Sequence, residues 1–287
     1  MQTRHRLTLA LVATALVALF EFWGGAASRS LALTSDAVHV CMDAFALGLA
    51  LLAAIGAARP PDPRRTFGYG RIEVLGALAN GTLLLAATAA IVYFAVRRFA
   101  LPVEPHAAIM TVVATVGLAT NAGVGMLLRA GSRRDLNVQA ALFHVAGDAL
   151  GALAVIAGGI AIALTHFAWI DPLLSLFVAA IIVVGIARVL RDATDVLLES
   201  VPGDVDSAIL ERHISKIGGV TGVHDLHVWS IGSGSHALSA HVLLDDRRLS
   251  EATDVLREID DCAQAHFGIT HVTIQFECES CPIVVKH

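Results

Sequence analysis

Two stretches of the 287-residue chain repeat one pattern. His39-Val40-Cys41-Met42-Asp43-Ala44 and His144-Val145-Ala146-Gly147-Asp148-Ala149 both read H-V-x-x-D-A, about a hundred residues apart. On a helix, a spacing of four puts each His and Asp on one face with Cβ atoms roughly 5–6 Å apart. Each copy therefore offers an adjacent nitrogen and oxygen donor. A single pair could do no more than satisfy its own buried polar groups. Two matched pairs inside apolar runs, where an ionisable group costs roughly 2.5–3.5 kcal/mol on insertion scales, point instead to a ligand. The resulting N₂O₂ set suits four-coordinate Zn²⁺ better than the octahedral, oxygen-rich preference of Mg²⁺ or Mn²⁺, and Cd²⁺ or Co²⁺ could share it. Two carboxylates also cancel the charge of a divalent ion, which eases its passage through a low-dielectric region. Metal binding displaces protons from such ligands, and an imidazole titrates near pH ~6.5, so proton exchange can drive release.

The elements that must position these residues are membrane spans. With 56% hydrophobic residues and a mean hydropathy of +0.70, the chain is too apolar for an ordinary soluble domain. A bilayer core takes on the order of 20 apolar residues as a helix, and six stretches qualify: 7–28, 31–57, 72–97, 107–128, 138–164 and 170–197. Breakers stand between them, among them Pro60-Pro61-Asp62-Pro63, Pro102, Pro105 and Asp171-Pro172. The opening Met1-Gln2-Thr3-Arg4-His5-Arg6 imitates a signal peptide, but Glu21 interrupts the run and further spans follow, so the segment is expected to stay as the first span. With the N-terminus inside, eleven arginines flank the spans on that side against Arg29, Arg97 and Arg98 outside. That bias sets both termini in the cytoplasm of an inner (plasma) membrane. Arg97 and Arg98 sit at a helix end from which long side chains reach headgroups. The formal charge of −5 gives no nucleic-acid surface.

The second and fifth spans run in opposite directions, so the two motifs fit an inverted three-plus-three arrangement, common in alternating-access carriers. After the spans, the polarity becomes that of a globular unit. Residues 1–200 form a transmembrane domain and 201–287 a cytoplasmic one. The tail reads helix 204–217, strand 222–231, hairpin at Gly232-Ser233-Gly234, strand 236–245, helix 250–267 and strand 271–277. This αββαβ order predicts a small α+β sandwich. Leu238, Ala240, Val242 and Val272, Ile274, Phe276 alternate as a core face, leaving His241 and Glu277 opposite. The parity of the first strand is ambiguous, because Leu226 and Val228 fall on the side of His224. Cys278-Glu279-Ser280-Cys281 follows, a C-x-x-C whose thiolates would bind Zn²⁺ in a reducing compartment. Glu21, Asp36 and Asn121 are further polar residues in the spans. Asp36 suits either the ion path or the start of its helix, and the other two have no assigned role.

These residues resemble the cation diffusion facilitator family, particularly its zinc-transporting branch. The resemblance rests on Leu31 to His39 (LALTSDAVH), Arg65 to Glu73 (RTFGYGRIE), the second His–Asp pair, Leu197 to Pro202 (LLESVP) and His227-Val228-Trp229-Ser230. It implies a homodimer, metal-for-proton exchange, and a six-helix membrane bundle followed by a ferredoxin-like cytoplasmic metal-binding domain. It places the transport site at His39, Asp43, His144 and Asp148, and tail ligands at His224, His241 and Glu277. Two departures stand out. The link between spans four and five carries no histidine, and in the loop after span two Arg65 and Tyr69 occupy the positions where some members have metal-binding histidines, with only Asp62 matching. No metal is expected at that loop. Two other readings compete with a carrier: a membrane-bound metal sensor, and an intramembrane zinc metalloenzyme. The second lacks a His-Glu-x-x-His motif, and four ligands would close the shell that a hydrolase must keep open.

Overall fold

The computed structural model describes residues 2–129, 136–232, 234–245 and 248–278, with the side chains of 2–14, 127–129, 136–144 and 249 outside the described set. Six long helices come first: α1 (Gln2–Ser28), α2 (Leu31–Ala57), α3 (Arg71–Ala100), α4 (Ala107–Arg129), α5 (Leu136–Thr165) and α6 (Ile170–Leu197). Among the described residues five are long and apolar enough to cross a bilayer, and α1 adds the shorter apolar stretch Ala15–Ser28. Large apolar side chains such as Leu51, Val112, Leu164 and Val184 stay exposed on them. That surface suits lipid, where a helix satisfies its own backbone and needs no polar face.

The chain packs as two compact units, one of Met1–Leu49 with Ala79–Val189 and one of Ala50–Leu78 with Leu190–His287. In the first, Leu33 of α2, Met110 and Val113 of α4, and Val155 and Ile162 of α5 form a fully buried core. A polar staple secures the start of α2. The Asp171 carboxylate, 0% exposed, accepts hydrogen bonds from the Ser30 hydroxyl at 2.6 Å, Leu31 N–H at 2.8 Å and Ala32 N–H at 3.1 Å. Arg98 completes it, donating to Asp171 at 2.8 Å and to the Arg29 carbonyl at 2.7 Å. The first N–H groups of a helix have no partner within it, so Asp171 caps α2 from α6. Arg98 thus turns inward to a buried carboxylate rather than outward to headgroups. Asp36 lies beyond the first turn of α2, and the capping role belongs to Asp171 and Ser30.

In the second unit the tail folds as α7 (Ser207–Ile214), β1 (Val220–Gly232), β2 (Ser235–Leu244), α8 (Leu249–Phe267) and β3 (Ile269–Cys278). The order and types match the αββαβ expectation, with α7 shorter at both ends. Asp206 fixes its start by accepting from Ala208 and Ile209 N–H, and the Gly218-Gly219 pair follows its end. The sheet order is β1-β2-β3, β1 antiparallel and β3 parallel to β2. A parallel neighbour requires a crossover, which α8 supplies. Leu210 and Ile214 of α7 and Val255, Ile259 and Ala263 of α8 bury against Val228, Leu238, Ala240 and Val242 of the sheet. Both helices therefore lie on one face, and the other is left for chemistry.

The loop between α2 and α3 docks on the β1–β2 hairpin end of this sheet. A Cβ on Gly70 would lie 2.9 Å from the Ile231 carbonyl oxygen, and one on Gly232 would lie 2.9 Å from Gly70 Cα. Neither position has room for a side chain. Gly70→Ala is expected to destabilise this docking by about 1–3 kcal/mol, the usual effect of overpacking. Gly203→Ala, with open space around it, is expected to change stability by less than about 0.5 kcal/mol. Thermal unfolding of the two purified variants checks the contrast.

Candidate metal centres

His39 and Asp43 sit one turn apart on α2, and Nε2 lies 3.5 Å from Asp43 Oδ2. Asp148 on α5 joins them, so that one ligand atom from each of His39, Asp43 and Asp148 lies within 4.8 Å of the other two. Tetrahedral Zn²⁺ with bonds of roughly 2.0–2.1 Å separates its ligand atoms by about 3.3 Å, so modest side-chain rotation closes the set. Helix α5 carries His144 one turn before Asp148. The side chain of His144 lies outside the described residues. All three described ligands are partly buried in the first unit.

Two more carboxyls lie deeper in that unit. Glu21 of α1 is 2% and Asp36 of α2 is 6% exposed, and both are close enough to Asp148 to interact with it electrostatically. Glu21 occupies space left by Gly117 of α4, where any Cβ would collide with its carboxyl oxygen, and Asp36 faces Gly151 of α5. Asn121 on α4 is partly buried. The sequence showed Glu21 and Asp36 as ionisable residues in apolar runs, yet only packing places them beside the metal-type cluster.

The second cluster is on the open face of the tail sheet. His241 Nδ1 lies 2.9 Å from Glu277 Oε1, and His224 Nε2 lies 3.1 Å from Glu277 Oε2. The two imidazoles are 5.1 Å apart between centroids. His224 and His241 face each other across β1 and β2 because the register shifts between His224 and His227. The extra residue of this bulge, next to Asp225 at φ 50°, reverses the parity of β1. Val223, Leu226 and Val228 can then all pack on the core while His224 points away, which resolves the ambiguity left by simple alternation. Asp225 also bonds His227 Nε2 at 2.9 Å and approaches His241 Nε2 at 3.7 Å. Partial burial pushes the Glu277 carboxyl up, but hydrogen bonds from His224 and Gln275 and the nearby imidazoles outweigh it and hold it below its ordinary range. An ionised carboxylate between two imidazoles is a metal-type donor set.

Cys278 ends β3 with its sulfur in a disulfide, a form that offers no thiolate. Among the described residues this cluster consists of His224, His241 and Glu277. Cys281 lies outside the described residues. In the α2–α3 loop, Asp62 accepts from Arg64 N–H, Arg65 N–H and the Tyr69 hydroxyl, and these bonds, led by that of Tyr69, hold its carboxyl below the ordinary range.

Residues 7–198 match the cation efflux transmembrane domain and residues 202–279 the cation efflux protein cytoplasmic domain. The chain belongs to the cation efflux family. It is 40% identical over 276 residues to the metal cation efflux system protein CzcD of Cupriavidus metallidurans, covering 96% of this chain and 86% of that protein. It is 37% identical over 265 residues to the cadmium, cobalt and zinc/H(+)-K(+) antiporter of Bacillus subtilis, covering 91% and 85%. Over 279 residues it is 37% identical to the zinc transporter ZitB of Escherichia coli, covering 96% and 88%. The solved metal-bound C-terminal domain of the CzcD transporter is 42% identical over 25% of this chain and 99% of that domain, with a TM-score of 0.24. This cation efflux chain is accordingly a multi-pass membrane transporter of the zinc branch and not an enzyme. The family assignment removes the metalloenzyme reading.

Proposed function

We propose that this cation efflux protein exports Zn²⁺ from the cytoplasm in exchange for protons, by alternating access at His39, Asp43, His144 and Asp148. The observation that carries the reading is the convergence of His39, Asp43 and Asp148 within ligand distance inside apolar helices. The donor chemistry supports it: mixed nitrogen and carboxylate ligands favour Zn²⁺, with Cd²⁺ and Co²⁺ as secondary cargo. Relatives named for zinc, cadmium and cobalt point the same way. The cytoplasm-facing state takes up the ion with deprotonated ligands, and protons arriving from the other side displace it. The arginine bias supports a cytoplasmic position for both termini in an inner membrane. The tail, residues 201–287, binds a second Zn²⁺ through His224, His241 and Glu277 and pairs two copies of the chain, and Cys278 and Cys281 join that site only when reduced.

The exchange is tested in sealed vesicles with an imposed pH gradient. Zinc movement that accelerates with the gradient and reverses with its sign is expected, and movement indifferent to both would overturn antiport. The tail site gives a separate expectation. His241→Ala in the full-length chain is expected to remove one zinc per chain in an equilibrium titration under reducing conditions and to leave the other. An unchanged stoichiometry would exclude His241 as a ligand.

A further inference from the structure

The second unit holds a cavity of about 530 Å³ that neither metal centre uses. Its walls include Arg64, Arg65, Arg71, Glu199, His227 and Trp229. The charges do not balance. Arg71 is neutralised by Glu199 at 2.8 Å, and His227 already holds Asp225. Asp62, the acid of the same loop, spends its oxygens on two backbone N–H groups and the Tyr69 hydroxyl. Arg65 stacks over the Tyr69 ring at 4.9 Å and reaches its hydroxyl at 3.5 Å, and Asp62 offsets part of its charge. Among the described residues the three guanidinium groups of Arg64, Arg65 and Arg71 are set against two carboxylates, Glu199 and Asp62, which leaves positive charge for an anion, and planar guanidinium forks match phosphate oxygens best.

Depth in the membrane selects the anion. The loop joins the adjacent ends of α2 and α3, and Glu199 stands two residues beyond α6, so the cavity lies at the level where spans leave the hydrocarbon. Headgroup phosphates are concentrated at that level, and basic pockets at span ends recognise anionic lipids. Phe67, half exposed on the cavity wall, supplies an apolar surface beside the charges. We propose that this cavity binds a phosphate group, supplied by an anionic phospholipid headgroup.

Native mass spectrometry tests it on the full-length protein released from nanodiscs holding phosphatidylglycerol and phosphatidylcholine in equal amounts. The wild type is expected to retain phosphatidylglycerol in preference to phosphatidylcholine. Loss of two arginine contacts in Arg64→Gln/Arg65→Gln is expected to weaken that retention roughly thirtyfold, and Arg64→Lys/Arg65→Lys, which keeps the charge, is expected to preserve most of it. No lipid preference in the wild type, or equal retention by the Gln variant, would overturn the proposal. Millimolar inorganic phosphate separates the sources: failure to displace the lipid supports a headgroup site, and full displacement would reassign the cavity to free phosphate. A Gln variant that loses the dimer mass together with the lipid would show that the arginines hold a partner subunit instead.

Discussion

Asp148→Ala is expected to weaken zinc binding at the membrane site by at least about a hundredfold, because loss of even an outer-shell partner of a metal ligand costs about 10–100-fold and Asp148 would be a direct ligand. Its carboxylate brings α5 to the His39–Asp43 pair of α2. Removal leaves fewer donors and also breaks the charge balance, since one carboxylate cannot neutralise a divalent ion. Asp148→Asn should be nearly as damaging, for it keeps the shape and removes the charge. Titration of the purified protein with zinc checks both variants, provided the tail site is first silenced by His241→Ala so that one class of site is read. An affinity within threefold of wild type would remove Asp148 from the ligand set.

The largest effect on stability is expected at a residue with no ligand role. Asp171→Ala should destabilise the folded protein by about 3–5 kcal/mol, the usual result of removing one partner from a buried ion pair. The carboxylate is fully buried and receives the Ser30 hydroxyl, two N–H groups of the first turn of α2, and Arg98. Without it, those donors lose their acceptor and a guanidinium loses its counter-charge. The effect should reach function, because His39 stands eight residues, about two helical turns, beyond Leu31. Arg98→Met should be milder, since Arg98 is the more exposed partner. The unfolding midpoint in detergent measures the difference, and an unchanged midpoint for Asp171→Ala would show that water or another donor set replaces the cap.

The comparison of these two aspartates shows which features a sequence can carry. Asp148 was legible because its motif recurs at Asp43 and because an ionisable residue stands out in an apolar run. Asp171 was read only as the start of its own helix, since nothing local ties it to groups 140 residues earlier in the chain. The spans were legible for the same reason as the motif: apolar length and proline breakers are local signals, and the helix boundaries fall within a few residues of them. In the tail, period-two alternation identified the core faces of β2 and β3, but it failed on β1. A bulge next to Asp225 changes the parity of that strand, and a left-handed backbone at an aspartate leaves little trace in residue type. The carboxyls of Glu21 and Asp36 were visible as ionisable residues, whereas their closeness to Asp148 depends on how α1, α2 and α5 pack.

The most direct test of the transport reading is zinc accumulation in proteoliposomes loaded with a fluorescent chelator, comparing wild type with Asp148→Ala under one imposed pH gradient. Many turnovers of zinc per wild-type chain are expected, with none above background in the variant. Uptake by the wild type limited to the few equivalents that its own sites can bind would mark the protein as a sensor and contradict a carrier.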